Sequence, residues 1–202
     1  MEKGEEILEH ARSLFDEAGV VSLPERDFLL LLGMESTPER DLDEFGRENG
    51  RFKMYGFEKH AAPKLESLLA FIRARSCSAE LAGPYGYPLE GEISLKEAAI
   101  RAGLGIRGKS SVVLHPEYGA RLRFMGMRTD APLEPLIAPP QADTENPVCA
   151  RCSVCIDRCP VDILEPYRMT DMSICLSNVT ALTAEGRSIL CDICLKECPA
   201  NK

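Results

Sequence analysis

The stretch "CARCSVCIDRCP", Cys149 to Pro160, decides how this chain must fold. Its cysteines follow the spacing C-x2-C-x2-C-x3-C-P. Three thiols set two residues apart share a tight loop and can wrap one side of a compact metal core. The fourth follows at a helix-like turn and points away, toward a second core. Pro160 ends the motif and stiffens its exit. Further on, "SILCDICLKECPANK" repeats the pattern at Cys191, Cys194, Cys198 and Pro199, with Ser188 in the first cysteine's place. One cysteine of this region is then unassigned, Cys175 in "SICLSNV". The chain has nine cysteines in all.

Structural disulfides are disfavoured in a reducing compartment, so metal ligation is the better account of these thiols. The first run is the one that bacterial ferredoxins use to hold a 4Fe–4S cluster. We expect two such clusters with crossed fourth ligands. The first takes Cys149, Cys152, Cys155 and Cys198. The second takes Cys159, Cys191 and Cys194, with Cys175 supplying the missing thiolate from the intervening segment. Zinc is the alternative for paired C-x2-C motifs, but the doubled C-x3-C-P ending is not a zinc-ribbon habit. Were Cys175 out of reach, the second cluster would hold three irons. Cys77, alone in "RARSCSAEL", reads as a small buried hydrophobe.

Working outward, the 202 residues are 45% hydrophobic and 28% charged, with net charge −8 and no Trp. No run approaches the roughly 18 apolar residues of a membrane span. The acidic start "MEKGEEILEH" lacks a signal peptide's order of charges, so a cytoplasmic protein is expected. The net charge argues against broad nucleic-acid binding. Acid concentrates in residues 1–50, whereas residues 96–128 are basic.

We expect an α+β protein: a small α/β N-terminal domain over 1–138, then a two-cluster ferredoxin-like domain over 139–202. The proline-rich "APLEPLIAPPQADTENPV" forms the connector. Apolar spacing predicts a helix with Ile7, Leu8, Ala11, Leu14, Phe15 and Ala18 on one stripe and Gly19 at its end. "PERDFLLLLG" reads as a second helix, opened by Pro24 and closed by Gly33. "TPERDLDEFGREN" carries a further helix start at Thr37 and Pro38. "KHAAPKLESLLAFIRAR" is the strongest helix, with Leu65, Leu68, Leu69 and Ile72 on one face. "SCSAELA" reads as a short strand, and "GPYGYPLEGE" as a loop. "SLKEAAIRAG" is a helix whose Ser94 and Glu97 form a capping box. "SVVLH" and "ARLRFMGMRTD" read as strands joined by the turn "PEYG".

"AGLGIRGKSS", Ala102 to Ser111, matches both a dinucleotide turn and a phosphate loop. Both motifs need a strand before the glycines and a helix after them, so that helix N–H groups meet the phosphate. Here the order is reversed. Gly103 is better read as the left-handed cap of the preceding helix. Gly105 and Gly108 then permit a tight turn or the close approach of a flat ligand.

With the split cysteine motif behind it, "KEAAIRAGLGIRGKSSVVLHPEYGARLRFMGMRTDAPLEP" resembles the epoxyqueuosine reductase and reductive dehalogenase group. The likeness covers residues 58–202. The group shares the A-G-L-G-x-x-G-K-[NS] segment, the P-E-Y-G-[SP]-R turn, the T-D-x-P-L exit and the displaced cysteine. The resemblance implies a cobalamin cradled beside the first cluster, with electrons passing through both clusters to cobalt. It implies that Gly103, Gly105, Gly108, Lys109, Ser110, Tyr118, Gly119 and Arg121 line or shape that pocket. Three departures stand out. The aspartate proton donor before A-G-L-G is missing, and Tyr85, Tyr87, Glu90 and Glu92 are the candidates left in that loop. The leading strands of a cobalamin domain are not legible. No C-terminal helical repeat follows "CPANK", which leaves the group's tRNA-binding part unrepresented.

Two functions compete on these residues. One is a cytoplasmic reductase passing electrons through the clusters to a corrinoid or a small molecule beside residues 102–121. The other is an electron carrier or adaptor without corrinoid, its acidic first 50 residues steering it to a basic partner. Either needs a low-potential electron donor of ferredoxin or flavodoxin type.

Overall fold

The structure, a computed structural model, describes residues 2–23, 27–49, 51–88, 93–139 and 144–201. Helix and strand are mixed, as in an α+β protein. Among the described residues, no helix is long and apolar enough to cross a membrane. The chain divides into two compact units, each assembled from three segments. The first holds 1–34, 61–105 and 123–142, the second 35–60, 106–122 and 143–202. The last crossing between the units falls at 142/143, and two earlier segments also join the cysteine-bearing part.

In the first unit, α1 (Lys3–Leu14) leads into a hairpin of β1 (Glu17–Ser22) and β2 (Phe28–Glu35). Both findings correct the sequence reading. The first helix stops at Leu14, so Ala18 and Gly19 belong to a strand. Gly19 is small because a Cβ there would lie 2.8 Å from the Ala102 Cβ. The expected second helix over 24–33 is also a strand, from Phe28 onward. Leu29–Leu32 and Met34 are fully buried, and β2 is an inner strand, flanked by β1 and by Leu122–Thr129. Burial on both faces removes the alternation that marks a strand, and a short apolar run is then indistinguishable from buried helix.

β8 (Leu122–Thr129) pairs with β5 (Ala79–Leu81), the strand expected from "SCSAELA". The expected strong helix is α3 (Ala62–Arg73), which buries Leu65, Leu68 and Ile72 on one stripe. Such side chains contribute about 1.5–3 kcal/mol each when fully buried. α3 packs on α1, where Arg75 meets Glu6 at 3.0 Å. α4 (Leu95–Arg101) begins at Ser94, whose Oγ accepts from the Glu97 N–H at 3.4 Å. It ends at Gly103, φ +76°. The N–H groups of Gly103 and Leu104 donate to the carbonyls of Ile100 and Ala99. This is the Schellman closure that only a left-handed residue permits.

The second unit contains the other large correction. The helix start at Thr37 and Pro38 opens a turn instead, closed by mutual backbone bonds between Thr37 and Arg40. After it come β3 (Glu44–Glu48) and β4 (Arg51–Lys53), paired as a hairpin through Asn49, φ +50°. "NG" is a hairpin signal, and the sequence reading passed over it. α2 (Tyr55–His60) packs on β3, with the Arg187 guanidinium 4.2 Å from the Tyr55 ring. β3 also pairs with β12 (Ser188–Leu190), giving the sheet order β11-β12-β3-β4, where β11 is Val179–Leu182. "SVVLH" contributes β7 (Val113–Leu114), but its partner is β6 (Ile106–Arg107) and not β8. The "PEYG" turn does form, closed by paired backbone bonds between His115 and Gly119.

Candidate metal centre

The segments "CSVCIDRCP" and "CDICLKECP" fold alike, position for position. Each places its middle cysteine on a single helical turn, α5 (Val154–Asp157) and α7 (Ile193–Lys196). The Asp157 N–H donates to the Ser153 carbonyl at 2.9 Å, and the Lys196 N–H to the Asp192 carbonyl at 2.9 Å. The N–H groups of Asp162 and Asn201 likewise bond the carbonyls of Cys159 and Cys198. Arg158 and Glu197, equivalent positions of the two segments, meet each other at 3.3 Å. Both are well exposed, so the pair fixes register more than it stabilises.

These segments bring the eight cysteines together in two sets. Cys149, Cys152, Cys155 and Cys198 line one small cavity, which opens in part to solvent. Cys159, Cys175, Cys191 and Cys194 line another. Among the described residues, no three His, Cys, Asp or Glu side chains close around a point as a single ion requires. Each quartet lines a small cavity of its own.

Cys175 arrives on α6 (Met172–Ser177). Asp171 caps that helix, accepting from the N–H groups of Ser173 and Ile174 at 2.8 and 3.3 Å. These hydrogen bonds, first among them those from Ser173, hold the Asp171 carboxyl below its ordinary range. The Asn178 N–H donates to the Cys175 carbonyl, and the Cys191 N–H to the Asn178 carbonyl, each at 3.0 Å. Ser188, where a regular motif would carry cysteine, is committed to β12 and pairs with Leu182 and Phe45.

Burial and mutual repulsion favour the neutral form of these thiols when no cation is among them. Burial pushes the Cys194 thiol up to about 12, and the charges of Cys175 and Cys191 add to the effect. Burial also raises Cys155, helped by Cys149, Cys198 and Cys152. Four thiolates in one cavity repel each other, so full ionisation requires positive ions among them. The first quartet has an apolar surround: Cys149 packs with Leu114 and Ala120, and Cys198 and Ala200 pack against these.

The glycine segment meets this quartet. Lys109 and Ser110 line the first cavity, and the Lys109 N–H donates to Cys149 Sγ at 3.4 Å. Hydrogen bonds to ligating sulfur tune a cluster's potential. The sequence reading did not foresee this contact. Gly108 fits a tight turn, since a Cβ there would sit 2.8 Å from Leu114. Tyr118 stacks on His115 with ring centroids 5.1 Å apart. Arg121 pairs with Glu35 at 2.7 Å.

Gly119, φ +57°, lets the turn approach the end of the second motif. A Cβ there would lie 2.6 Å from the Ala200 carbonyl oxygen and from Asn201 Oδ1. Asn201 Oδ1 accepts from the Ala120 N–H at 2.9 Å, while its Nδ2 donates to the Leu195 carbonyl at 2.7 Å. Gly119→Ala is therefore expected to cost about 1–3 kcal/mol, through strain and overpacking. A lowered thermal midpoint in the cluster-loaded protein checks it.

The remaining candidates lie in the first unit. Gly103 caps α4, and Gly105 holds φ +143°. Tyr85 and Tyr87 lie in and just after a short 3-10 turn, Pro84–Gly86, with Tyr85 at φ +53°. Glu90 and Glu92 lie outside the described residues. A cavity of about 440 Å³ in this unit has Ser22, Asp27, Glu97, Arg101 and Arg128 in its wall. Among the described residues, none of the candidate site residues named from the sequence lines it.

Taken together, this is an α+β protein with a doubled cysteine module set against a glycine-rich segment. Its sequence is similar over part of its length to curated epoxyqueuosine reductases, and its fold is shared with solved epoxyqueuosine reductases and reductive dehalogenases. The epoxyqueuosine reductase of Listeria monocytogenes is 34% identical over 122 residues, covering 55% of this chain and 31% of that protein. That of Leadbetterella byssophila is 30% identical over 178 residues, covering 81% and 55%. The chain thus spans about a third to a half of these relatives' length. No family model matches it. Solved structures share the fold. The epoxyqueuosine reductase of Streptococcus thermophilus superposes with TM-score 0.63 at 18% identity, covering all of this chain and 66% of that one. A reductive dehalogenase described for B12-dependent dehalogenation gives 0.65 at 17% identity, covering 98% and 31%.

Proposed function

We infer that the chain is an iron–sulfur redox protein with two 4Fe–4S clusters that serves as a reductase. The observation that carries this is the division of eight cysteines into two quartets, each lining its own cavity. Cys149, Cys152, Cys155 and Cys198 would hold the first cluster, and Cys159, Cys175, Cys191 and Cys194 the second. Such clusters accept and release one electron at a time. The protein's part is to ionise and fix the thiols, exclude water and set the potential. Leu114 and Ala120 shield the first quartet, and the Lys109 N–H on Cys149 Sγ would favour the more negative state of a cluster held there. A small acceptor would take its electron beside Lys109 and Ser110. The residues that the resemblance assigned to a corrinoid have other duties within their own units, as turns, caps and packing contacts. We derive no step through such a group.

The carrier or adaptor reading shares the cluster pair and differs only in the acceptor. Anaerobically prepared protein is expected to contain about eight irons and about eight sulfides per chain. About two metals and no sulfide would instead mean zinc.

A further inference from the structure

The large apolar side chains that this chain leaves in solvent are unevenly spread. Of seven such residues among those described, five fall between 172 and 182: Met172, Ile174, Leu176, Val179 and Leu182. Met172 is 58% exposed and Leu182 69%. They occupy α6 and β11, and no residue from 172 to 182 is charged. β11 is an edge strand of its sheet and is exposed at all four positions. Within α6 every residue is exposed except Cys175. Cys175 and Asn178, which belong to the same stretch, line the second cavity. The apolar surface therefore lies directly over the second quartet. Concentrated apolar exposure of this kind marks an interaction surface.

Resting on the cluster reading above, we propose that this face docks a small low-potential electron-carrier protein of ferredoxin type, which reduces the second cluster past Cys175. The area selects the occupant. Five partly exposed side chains present several hundred Å², short of the roughly 800 Å² per partner that a stable complex buries. A second copy would not be held here, whereas redox encounters sit at the small end of the scale. The composition agrees: an interface core is apolar and depleted in charge, with a polar rim. Asp171 and Glu185 flank the uncharged stretch. The step balances simply: the reduced carrier loses one electron, and the oxidised second cluster gains it.

The test uses the cluster-loaded full chain and the double variant Met172→Glu/Leu182→Glu, whose changed side chains lie outside the second cavity. Each is mixed anaerobically with reduced ferredoxin, and bleaching of the thiolate-to-iron absorption is timed. Dithionite serves as the small reductant in parallel. The expected result is reduction by ferredoxin slowed at least about tenfold, with the dithionite rate and iron content unchanged. An unchanged ferredoxin rate overturns the proposal. So does equal slowing with dithionite, or a wild type that only dithionite reduces. Sedimentation showing a wild-type dimer that the variant dissolves assigns the face to a second copy and overturns it as well. A wild type without iron is distinguished before mixing, since it removes the cluster reading itself.

Discussion

Replacing Cys175 by alanine is expected to empty the second quartet, lowering iron from about eight to about four per chain. Cys175 is the only thiol of that quartet outside the two repeated motifs. Its carbonyl is tied through Asn178 to the start of the second motif, which sets Cys175 beside Cys191 in the folded chain. Without it three thiols face the cavity, and burial favours the neutral form of Cys194. Protonation then competes with metal binding. Restoring the regular run with Ser188→Cys in the same background is expected not to bring the iron back. Residue 188 lies in β12 between Leu182 and Phe45, and releasing it means giving up strand pairing on both sides. Iron that stays near eight in Cys175→Ala would end the assignment. Recovery through Ser188→Cys would show that β12 yields to the metal. Cys77→Ala, in the other unit, is expected to leave the iron content unchanged.

Stripping the metal with a chelator under mild oxidation is expected to unfold the cysteine segment and leave the first unit folded. Only Cys149, Cys155, Ile163 and Leu164 are buried among the described residues of 144–201. Ordering a residue costs about 1–2 kcal/mol of backbone entropy, while burying an aliphatic side chain contributes about 1.5–3 kcal/mol. Two buried aliphatics cannot hold so long a segment, so metal bonds must supply its order. The first unit is built differently. Leu29–Leu32, Ile7, Leu65, Leu68 and Ile72 are almost wholly excluded from solvent. Hydrogen exchange checks the contrast. Amides of α5 and α7 should lose protection by orders of magnitude on metal removal. Those of Leu30 to Leu32 should keep theirs. Unchanged protection in α5 and α7 would mean that the segment folds without metal.

Much of the local structure was legible. α3 and α4 carry strong periodicity and clear end signals, and their caps act over three or four residues. The strands β1 to β4 were missed for two reasons. β2 is buried on both faces and so has no alternation to read. β3 and β4 were masked by a helix-start signal at Thr37 and Pro38 that the chain uses as a turn. At the candidate site, the cysteines announced themselves by spacing. The contact of the Lys109 N–H with Cys149 Sγ did not, because a backbone donor leaves no mark in the side-chain pattern.

By itself, the sequence determined the cysteine motifs, the helices α3 and α4, and the reversed order about Gly103 that speaks against a nucleotide loop. Those features join residues a few positions apart, where backbone geometry leaves little choice. Only the tertiary structure decided that 35–60 and 106–122 join the cysteine segment, and that Ser188 sits in a strand. It alone explains Gly119, whose missing side chain makes room for Ala200 and Asn201. Strand pairing and close backbone approach join residues far apart in the chain, and which distant partners meet depends on burial summed over the whole unit.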